Sequence, residues 1–191
     1  MQRRHFLQTG SALGAMGLVS GCATVSGSSG PKVVVIGGGY AGATAAKYMR
    51  MWSEHKIQVT LVEPNDAFIS CPISNLVIGG SKTISEITTP YDNLTKRHGV
   101  QIIKDRVNTI DADKRIVKLA GGTELSYDRL IVSPGVDFMW ETLPSMAKAD
   151  AKDKVMHAWK AGAQTLTLRK QLEAVPDGGV FAMSIPLAPY R

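Results

Sequence analysis

Apolar residues between positions 32 and 63 fall into two short runs, separated by a glycine-rich turn and an alanine-rich stretch. Residues 33–36 form an unbroken apolar run, which is typical of a strand buried on both faces. The alanine-rich stretch 40–52 predicts a helix, and a second apolar run follows at 58–62. A strand, a helix and a strand within residues 32–63 predict one βαβ unit of a parallel sheet.

The turn after the first strand has the sequence Gly37-Gly38-Gly39-Tyr40-Ala41-Gly42. Gly37 permits a tight turn, Gly39 lets the backbone approach a pyrophosphate, and Gly42 allows the helix to pack closely on the strand. The helix N-terminus offers unpaired N–H groups to phosphates. Glu63 follows Gly42 by 21 residues, where its carboxylate can accept hydrogen bonds from ribose hydroxyls. The alternative is a glycine-rich turn that binds nothing, but this context favours a dinucleotide site.

After Glu63 the pattern is irregular as far as residue 99. Pro72 suits the first position of a short helix that Gly79 and Gly80 would end, and a second helix is expected at about 91–97. Residues 100–103 predict another parallel strand.

From residue 106 the period changes to short half-buried strands, at 106–110, 115–119 and 124–127. The run 130–132 then re-enters the core and ends in Ser133-Pro134-Gly135. Such a β-meander resembles the one in the FAD-binding domain of glutathione-reductase-like flavoproteins, where a strand ending in a small residue and a glycine lies against the cofactor. The predicted fold class is therefore α/β, a Rossmann-like FAD-binding domain with a parallel sheet and an inserted β-meander.

Three regions follow from this interpretation. Residues 1–29 are a leader and tether, and residues 30–145 are the N-terminal part of the FAD-binding domain. Residues 146–191 are expected to be the truncated start of a second, NAD-binding-like domain, with a helix over 163–175 and a strand over 180–185.

The leader resembles a twin-arginine export signal, with Arg3 and Arg4 ahead of a modest apolar stretch at 11–19. That stretch is too short and too rich in glycine for a membrane-spanning helix. The interpretation predicts export to the periplasm. Cys22 lies in a lipobox-like sequence, so membrane contact is expected only if Cys22 is acylated, and the alternative is plain cleavage nearby.

Composition and residue spacing argue against nucleic acid and metal ions as ligands. The chain has 191 residues, a net charge of +6 and 44% hydrophobic residues, which fits a globular protein. No dense run of Lys and Arg with interleaved aromatics occurs, which argues against nucleic-acid binding. The histidines, His5, His55, His98 and His157, show no metal-ligand spacing, so no metal site is expected.

Cys71 is the one cysteine that remains if the leader is removed at or after Cys22. We expect it just before Pro72 at a helix start, where the helix end stabilises a thiolate. That placement suits a nucleophile that attacks an electrophilic carbon. The alternative is a buried cysteine that serves as a small apolar residue.

The segment 62–80, with Ser70-Cys71-Pro72-Ile73-Ser74-Asn75 at its centre, resembles the flavoprotein subunit of flavocytochrome c sulfide dehydrogenase. The leader, the glycine motif and Trp159-Lys160-Ala161-Gly162-Ala163-Gln164-Thr165 fit the same family. The resemblance implies FAD as cofactor, sulfide as substrate and a c-type cytochrome subunit as partner. It also implies that Cys71 is bonded covalently to the 8α-methyl group of FAD.

The FAD contacts expected on these grounds lie at the ends of the predicted strands and in the turns between them. They are Gly37, Gly39, Tyr40, Ala41, Gly42, Glu63, Pro64, Cys71, Val107, Ser133 and Gly135. The family's redox cysteine pair is expected beyond Arg191, so no catalytic residue is assigned in this chain. The sequence therefore resembles an N-terminal fragment, which we expect to bind FAD weakly and to be inactive alone.

Two alternatives stay open at this point. One is another flavoprotein of the same fold, a sulfide:quinone oxidoreductase or an NADH dehydrogenase-like enzyme. The other is a non-catalytic exported FAD-binding remnant.

Overall fold

The protein is described by a computed structural model that covers residues 30–146 and 150–183. Arg3, Arg4 and Cys22 of the predicted leader lie outside the described residues. The described residues from Pro31 onward form one compact unit.

The strands and helices follow in chain order. The strands are β1 (Lys32–Ile36), β2 (Gln58–Val62), β3 (Ala67–Ile69), β4 (Thr88–Pro90), β5 (Gln101–Ile103), β6 (Val107–Asp111), β7 (Ile116–Leu119), β8 (Glu124–Ser126) and β9 (Arg129–Val132). The helices are α1 (Tyr40–Trp52), α2 (Asn75–Ile78), α3 (Asp92–His98), α4 (Ala151–Lys154) and α5 (Ala163–Glu173). Short 3₁₀ turns occur at Ser85–Ile87, Trp140–Thr142 and Pro144–Met146.

The central sheet is parallel and has the strand order β5-β2-β1-β9. In its register, Val35 of β1 lies opposite Leu61 of β2 on one side and Ile131 of β9 on the other. Strands β6, β7 and β8 form a separate antiparallel meander, and β3 pairs with β4 in an antiparallel ribbon. The predicted parallel α/β sheet with an inserted meander is confirmed.

The core lies on both faces of this sheet because β1 is apolar at every position from Val33 to Ile36. Val33 and Val35 face the helical layer, where they pack with Ala46 of α1. Val34 and Ile36 face the other way and pack with Val117 of the meander. A strand covered on both faces explains the continuous apolar run in the sequence.

Helix α1 presents its small residues to the sheet, and Gly42 and Ala46 are its buried positions. The far end of α1 is fastened by Arg50, whose Nε donates to the carbonyl of His98, 2.9 Å away. The same guanidinium donates through Nη1 to the carbonyl of His55 at 2.8 Å. Arg50 therefore joins the ends of α1 and α3 on the helical face.

Helix α5 packs against α2, although 84 residues separate the end of α2 from the start of α5. Nη1 of Arg169 in α5 donates to the carbonyl of Ile78, 3.1 Å away. Gly80, with φ +82°, lies directly against this guanidinium. The region that carries Cys71 is thus held from the far end of the chain.

The strand predicted at 180–185 is wrong over its described part, because residues 180–183 pair with no strand in the part of the chain that the structure describes. Val180 is 90% exposed. A strand is stable only when a neighbouring strand supplies its hydrogen bonds, so apolar residues such as Val180 and Phe181 remain irregular without one. Residues 184 and 185 lie outside the described residues, and the domain boundary at 146 stays a prediction.

Within residues 30–146 and 150–183, no helix combines the length and apolar character that crossing a bilayer requires.

Candidate functional site

Two glycines of the motif are required by the protein's own packing. Gly37 has φ +92°, and a Cβ there would lie 2.1 Å from the carbonyl oxygen of Ser133. A Cβ at Gly42 would lie 1.8 Å from the carbonyl oxygen of Gly37. Both distances are far inside van der Waals contact, so a side chain at either position would force strand, turn and helix apart.

Gly39 is different, since nothing in the described protein requires a glycine there. Its φ of −69° suits any residue, and a Cβ would approach no closer than 4.0 Å to Phe68. The space in front of Gly39 is therefore bounded by the start of α1 and not filled by other side chains. This open approach fits the role in which a glycine lets the backbone come close to a pyrophosphate.

The start of α1 has the properties of an anion site. Gly39 is its N-cap and supplies no side-chain hydrogen bond, and the first turn contains no acidic residue. The first N–H groups of a helix lack partners within the helix, and the helix dipole places partial positive charge there. With no side chain satisfying these groups, the N-terminus at Tyr40 and Ala41 can receive a phosphate.

Glu63 lies at the end of β2 and is 7% exposed. Its Oε2 accepts a hydrogen bond from the N–H of Gly38 at 2.7 Å. Its Oε1 accepts from the backbone N–H of Asn65 at 2.9 Å and from Asn65 Nδ2 at 2.6 Å. Because a carboxylate oxygen accepts more than one hydrogen bond, Oε2 keeps capacity for a ribose hydroxyl. Glu63 also fixes the glycine turn, a role that the sequence did not reveal.

Tyr91 supports the same turn from the helical layer, and the sequence analysis missed it. Its hydroxyl donates to the carbonyl of Gly38 at 3.0 Å. Burial, together with the negative charge of Glu63, raises the pKa of Tyr91 to about 12. Gly38 is thus held from both sides, by a carboxylate on its N–H and a phenol on its carbonyl.

Ser133 follows β9 and touches the glycine turn. Its backbone N–H donates to the carbonyl of Ile36 at 2.9 Å, and its hydroxyl donates to the same oxygen at 2.9 Å. Gly135, two residues on, has φ +78°, and a Cβ there would meet nothing within 4 Å. The segment from Ser133 to Gly135 therefore leaves the turn and faces open space.

Cys71 is exposed, and the structure corrects its predicted place at a helix start. Helix α2 begins at Asn75, and Ser74 is its N-cap. Pro72 lies in the preceding turn, in which the backbone N–H and the hydroxyl of Ser74 donate to the carbonyl of Cys71, at 3.1 and 2.8 Å. Ser74 closes that turn and so fixes the helix start three residues later than the proline predicted.

The sulfur of Cys71 is instead close to the start of a distant helix. The backbone N–H of Ala161 donates to Sγ at 3.4 Å, and Gly162, the next residue, is the N-cap of α5. Ala161 precedes this N-cap, so its N–H lies outside α5. The sulfur therefore lies beside the loop that leads into α5, and not at the start of α2.

Tyr40 connects the glycine turn with the cysteine segment. Its ring meets the ring of Phe68 edge-on, with centroids 4.7 Å apart. Its hydroxyl is hydrogen-bonded to Oγ of Ser70, the residue before Cys71. The N-terminus of α1 and the Cys71 turn therefore belong to one connected surface.

The remaining predicted contacts flank the ends of β2 and β6. Val107 begins β6, is half-buried and packs against the sheet face that contains Val34 and Val62. Pro64 follows Glu63 and is half-buried.

A cluster of aromatic rings lies near the segment that reaches Cys71. His157 packs against Phe138, with centroids 4.4 Å apart, and Trp159 meets Phe138 edge-on at 5.2 Å. Burial and the charge of Lys160 lower the pKa of His157. Nζ of Lys160 also pairs with Asp137 at 2.9 Å. Trp159 and Lys160 directly precede Ala161, so these contacts support the backbone that donates to Cys71.

In the described ranges, no three or more side chains of His, Cys, Asp or Glu converge in a way that could hold a metal ion.

Comparison with known proteins places this geometry in a family. Residues 31–175 match the pyridine nucleotide-disulphide oxidoreductase family. The flavoprotein chain of sulfide dehydrogenase (flavocytochrome c) from Chlorobaculum thiosulfatiphilum is 56% identical over 46 residues, which are 24% of this chain and 94% of that sequence. The mitochondrial sulfide:quinone oxidoreductase of Dictyostelium discoideum is 28% identical over 159 residues, which are 81% of this chain and 34% of the relative.

The fold is likewise found among solved structures. The sulfide:quinone oxidoreductase from Aquifex aeolicus superposes with a TM-score of 0.62 at 23% identity, over 75% of this chain and 32% of that one. The chain spans about a third of the length of the sulfide:quinone oxidoreductases it matches. The match over residues 31–175 covers the glycine turn, Glu63, Cys71 and Ser133, and the chain belongs to the pyridine nucleotide-disulphide oxidoreductase family.

Proposed function

We propose that this chain is the FAD-binding portion of an oxidoreductase that oxidises sulfide and passes the electrons to a c-type cytochrome. The observation that carries the proposal is the uncapped N-terminus of α1 in front of the open Gly39, with the buried Glu63 beside it. That arrangement suits a dinucleotide. The name of the 56% identical relative supports sulfide as substrate and a cytochrome as partner.

In this proposal each part of FAD has its own partners in the chain. The N–H groups at the start of α1 bind the pyrophosphate, and Oε2 of Glu63 accepts a hydrogen bond from the adenosine ribose. Pro64 and Val107 flank the adenosine, and Ser133 and Gly135 offer a backbone edge on the flavin side. When bound, FAD supplies the acceptor for two electrons and passes them on singly.

Cys71 is the proposed point of covalent attachment. Its sulfur is exposed and receives an N–H donor from Ala161 at 3.4 Å. In the attachment step Sγ of Cys71 would form a C–S bond to the 8α-carbon. The S–H bond of Cys71 and one methyl C–H bond would break, and bound FAD would supply the acceptor for the two electrons and two protons that are released. No external oxidant is required for this step.

Acid precipitation tests the attachment, because it releases flavin that is held only by non-covalent contacts. The chain is purified with FAD, precipitated, and washed. We expect a yellow pellet from the wild type and from Cys22→Ala, the matched control at the other cysteine, and a colourless pellet from Cys71→Ala. A colourless wild-type pellet with free FAD in the supernatant would exclude the thioether.

Reduction by sulfide tests the chemistry separately from the attachment. Sulfide is added without oxygen to the flavin-loaded protein, and the visible flavin band is followed. Bleaching supports the sulfide-oxidising proposal, whereas an unchanged band with FAD bound fits either a chain that is inactive without the cysteine pair expected beyond Arg191 or a non-catalytic binding remnant. The names of several relatives favour a second candidate, a quinone-reducing enzyme. Turnover with a soluble quinone in place of cytochrome c would support it.

The proposed compartment is the periplasm, reached by the twin-arginine route. Support comes from Arg3 and Arg4 ahead of the apolar stretch in the sequence. Cell fractionation of the wild type and of a variant with both arginines changed to lysine tests this. Export should be lost in the variant, and equal export of both proteins would contradict the proposal. Incorporation of a labelled fatty acid at Cys22 would show that the protein also carries a lipid anchor.

A further inference from the structure

A cleft of about 540 Å³ lies beside the glycine turn, between α1, α3 and the β3–β4 ribbon. One wall is a stripe of α1 with helical spacing: Tyr40, Ala43, Thr44 and Lys47. The small side chains of Ala43 and Thr44 leave room that a larger residue would fill. The volume lies within the range of small-molecule sites, roughly 300–1,000 Å³.

The cleft adjoins the proposed FAD site and extends beyond it along α1 and α3. Of the proposed FAD contacts, only Gly39 and Tyr40 line it, and Glu63, Val107 and Ser133 do not. Apolar side chains also line it, among them Phe68, Ile87 and Leu94. A cleft of this size with apolar side chains suits a ring system or a short alkyl chain.

Basic residues line the cleft as well. Lys47 lines it from α1, and Arg97 and His98 line it from α3. Neither Lys47 nor Arg97 forms an ion pair with any described residue, although Nζ of Lys47 lies over the ring of Tyr48 at 5.3 Å. Burial lowers the pKa of His98, and so does repulsion from Lys47, His55 and Arg97.

One acidic residue lines the cleft, and it is already engaged. Oε2 of Glu86 accepts hydrogen bonds from the N–H of Thr83 at 2.7 Å and from its hydroxyl at 2.9 Å. Oε1 of Glu86 pairs with Nζ of Lys82 at 3.7 Å, so the ion pair of Glu86 is with Lys82 and not with Lys47 or Arg97.

We propose that this cleft binds a small organic anion with an apolar body, such as a medium-chain carboxylate. The body lies along Ala43 and Leu94, and the anionic group lies between Lys47 and Arg97. Apolar contact supplies the affinity, and the two cations set the orientation and the preference for anions.

Dodecanoate is a suitable probe, and amide chemical shifts of the full chain report where it binds. We expect saturable shifts at Ala43, Lys47, Leu94 and Arg97. Lys47→Glu should weaken binding about tenfold, which corresponds to about 1.4 kcal/mol. Lys170→Glu, an equal change of charge at an exposed lysine on α5, should leave the affinity unchanged.

A second variant separates the cavity from the charge. Ala43→Leu fills the cleft and keeps every cation, so it should abolish dodecanoate binding while the spectrum of the rest of the chain is retained. Shifts confined to exposed apolar residues elsewhere, such as Val136 and Val180, would overturn the proposal. So would loss of dodecanoate binding on addition of FAD, because the cleft would then belong to the cofactor site. None of these outcomes depends on Cys71 or on sulfide oxidation.

Discussion

Substitution of the two glycines at the start of α1 should affect different properties: Gly42→Ala should lower the stability of the fold, and Gly39→Ala should mainly lower the affinity for FAD. In Gly42→Ala, the new methyl group would lie 1.8 Å from the carbonyl oxygen of Gly37 and 2.7 Å from Oγ of Ser133. The N–H of Gly37 donates to the carbonyl of Val62 at 2.9 Å, so Gly37 and its carbonyl cannot move aside freely. The helix has to shift instead.

The magnitude follows from two opposing effects. Overpacking costs about 1–3 kcal/mol, and overlap with backbone places Gly42→Ala near 3 kcal/mol. Alanine is about 1 kcal/mol better than glycine within a helix, which offsets part of that cost. We expect a net loss of about 2 kcal/mol in the free energy of unfolding, or about 4–8 °C in Tm for a domain of this size.

Gly39→Ala is the matched control because the chemical change is the same and the position is three residues away. Its methyl group would meet no protein atom closer than 4.0 Å, and its backbone angles suit alanine. Alanine is a poorer N-cap than glycine, so the expected loss stays below about 1 kcal/mol. FAD affinity should nevertheless fall at least tenfold, because the methyl group occupies the approach to the helix N-terminus.

Urea unfolding of both variants without cofactor, followed by circular dichroism, measures the stability difference. Equilibrium dialysis with FAD measures the affinity. The packing argument would be refuted if Gly42→Ala were as stable as the wild type. It would also be refuted if Gly39→Ala lost as much stability as Gly42→Ala.

Two further predictions concern the supports of the site. Tyr91 has a folded-state pKa of about 12, above its value of about 10 in unfolded chains. As pH rises, the unfolded state therefore loses the phenol proton of Tyr91 first, so the free energy of unfolding should fall between about pH 10 and about pH 12. The urea midpoint of Tyr91→Phe should fall less steeply over this range than that of the wild type. Parallel curves for the two proteins would contradict the raised pKa of Tyr91. Arg169→Met removes the donor to the carbonyl of Ile78, so amide exchange in α2 should rise about tenfold while exchange in the meander stays constant. Uniform acceleration across both regions would indicate general destabilisation instead.

The local parts of the fold could be read from the sequence because short-range patterns specify them. The observed bounds of α1, Tyr40–Trp52, and of β2, Gln58–Val62, are those that the pattern predicts. A continuous apolar strand next to glycines and alanines has few other ways to bury its surface. The meander was also predictable, since alternation with turn residues is a signal of the same range.

The predictions that failed rested on the intrinsic preferences of single residues, where hydrogen-bonding partners decide. Pro72 has the geometry of a first helical residue, but Ser74 closes a turn before the helix begins. Val180 and its neighbours have strand-forming side chains, but no described strand pairs with them. The intrinsic preference of a residue for helix or strand is worth only fractions of a kcal/mol, so hydrogen bonding and packing override it.

By itself, the sequence determined the βαβ unit, the glycine turn and the acid at the end of β2, because each depends on residues close together in the chain or on fixed spacing. Tertiary structure decided how that turn is held and what faces Cys71. Tyr91 reaches Gly38 across 53 residues, and Ala161 reaches Cys71 across 90. No spacing encodes these contacts. Tyr91 reaches the turn because it packs with α1 on one face of the sheet, and Ala161 reaches Cys71 because α5 packs against α2.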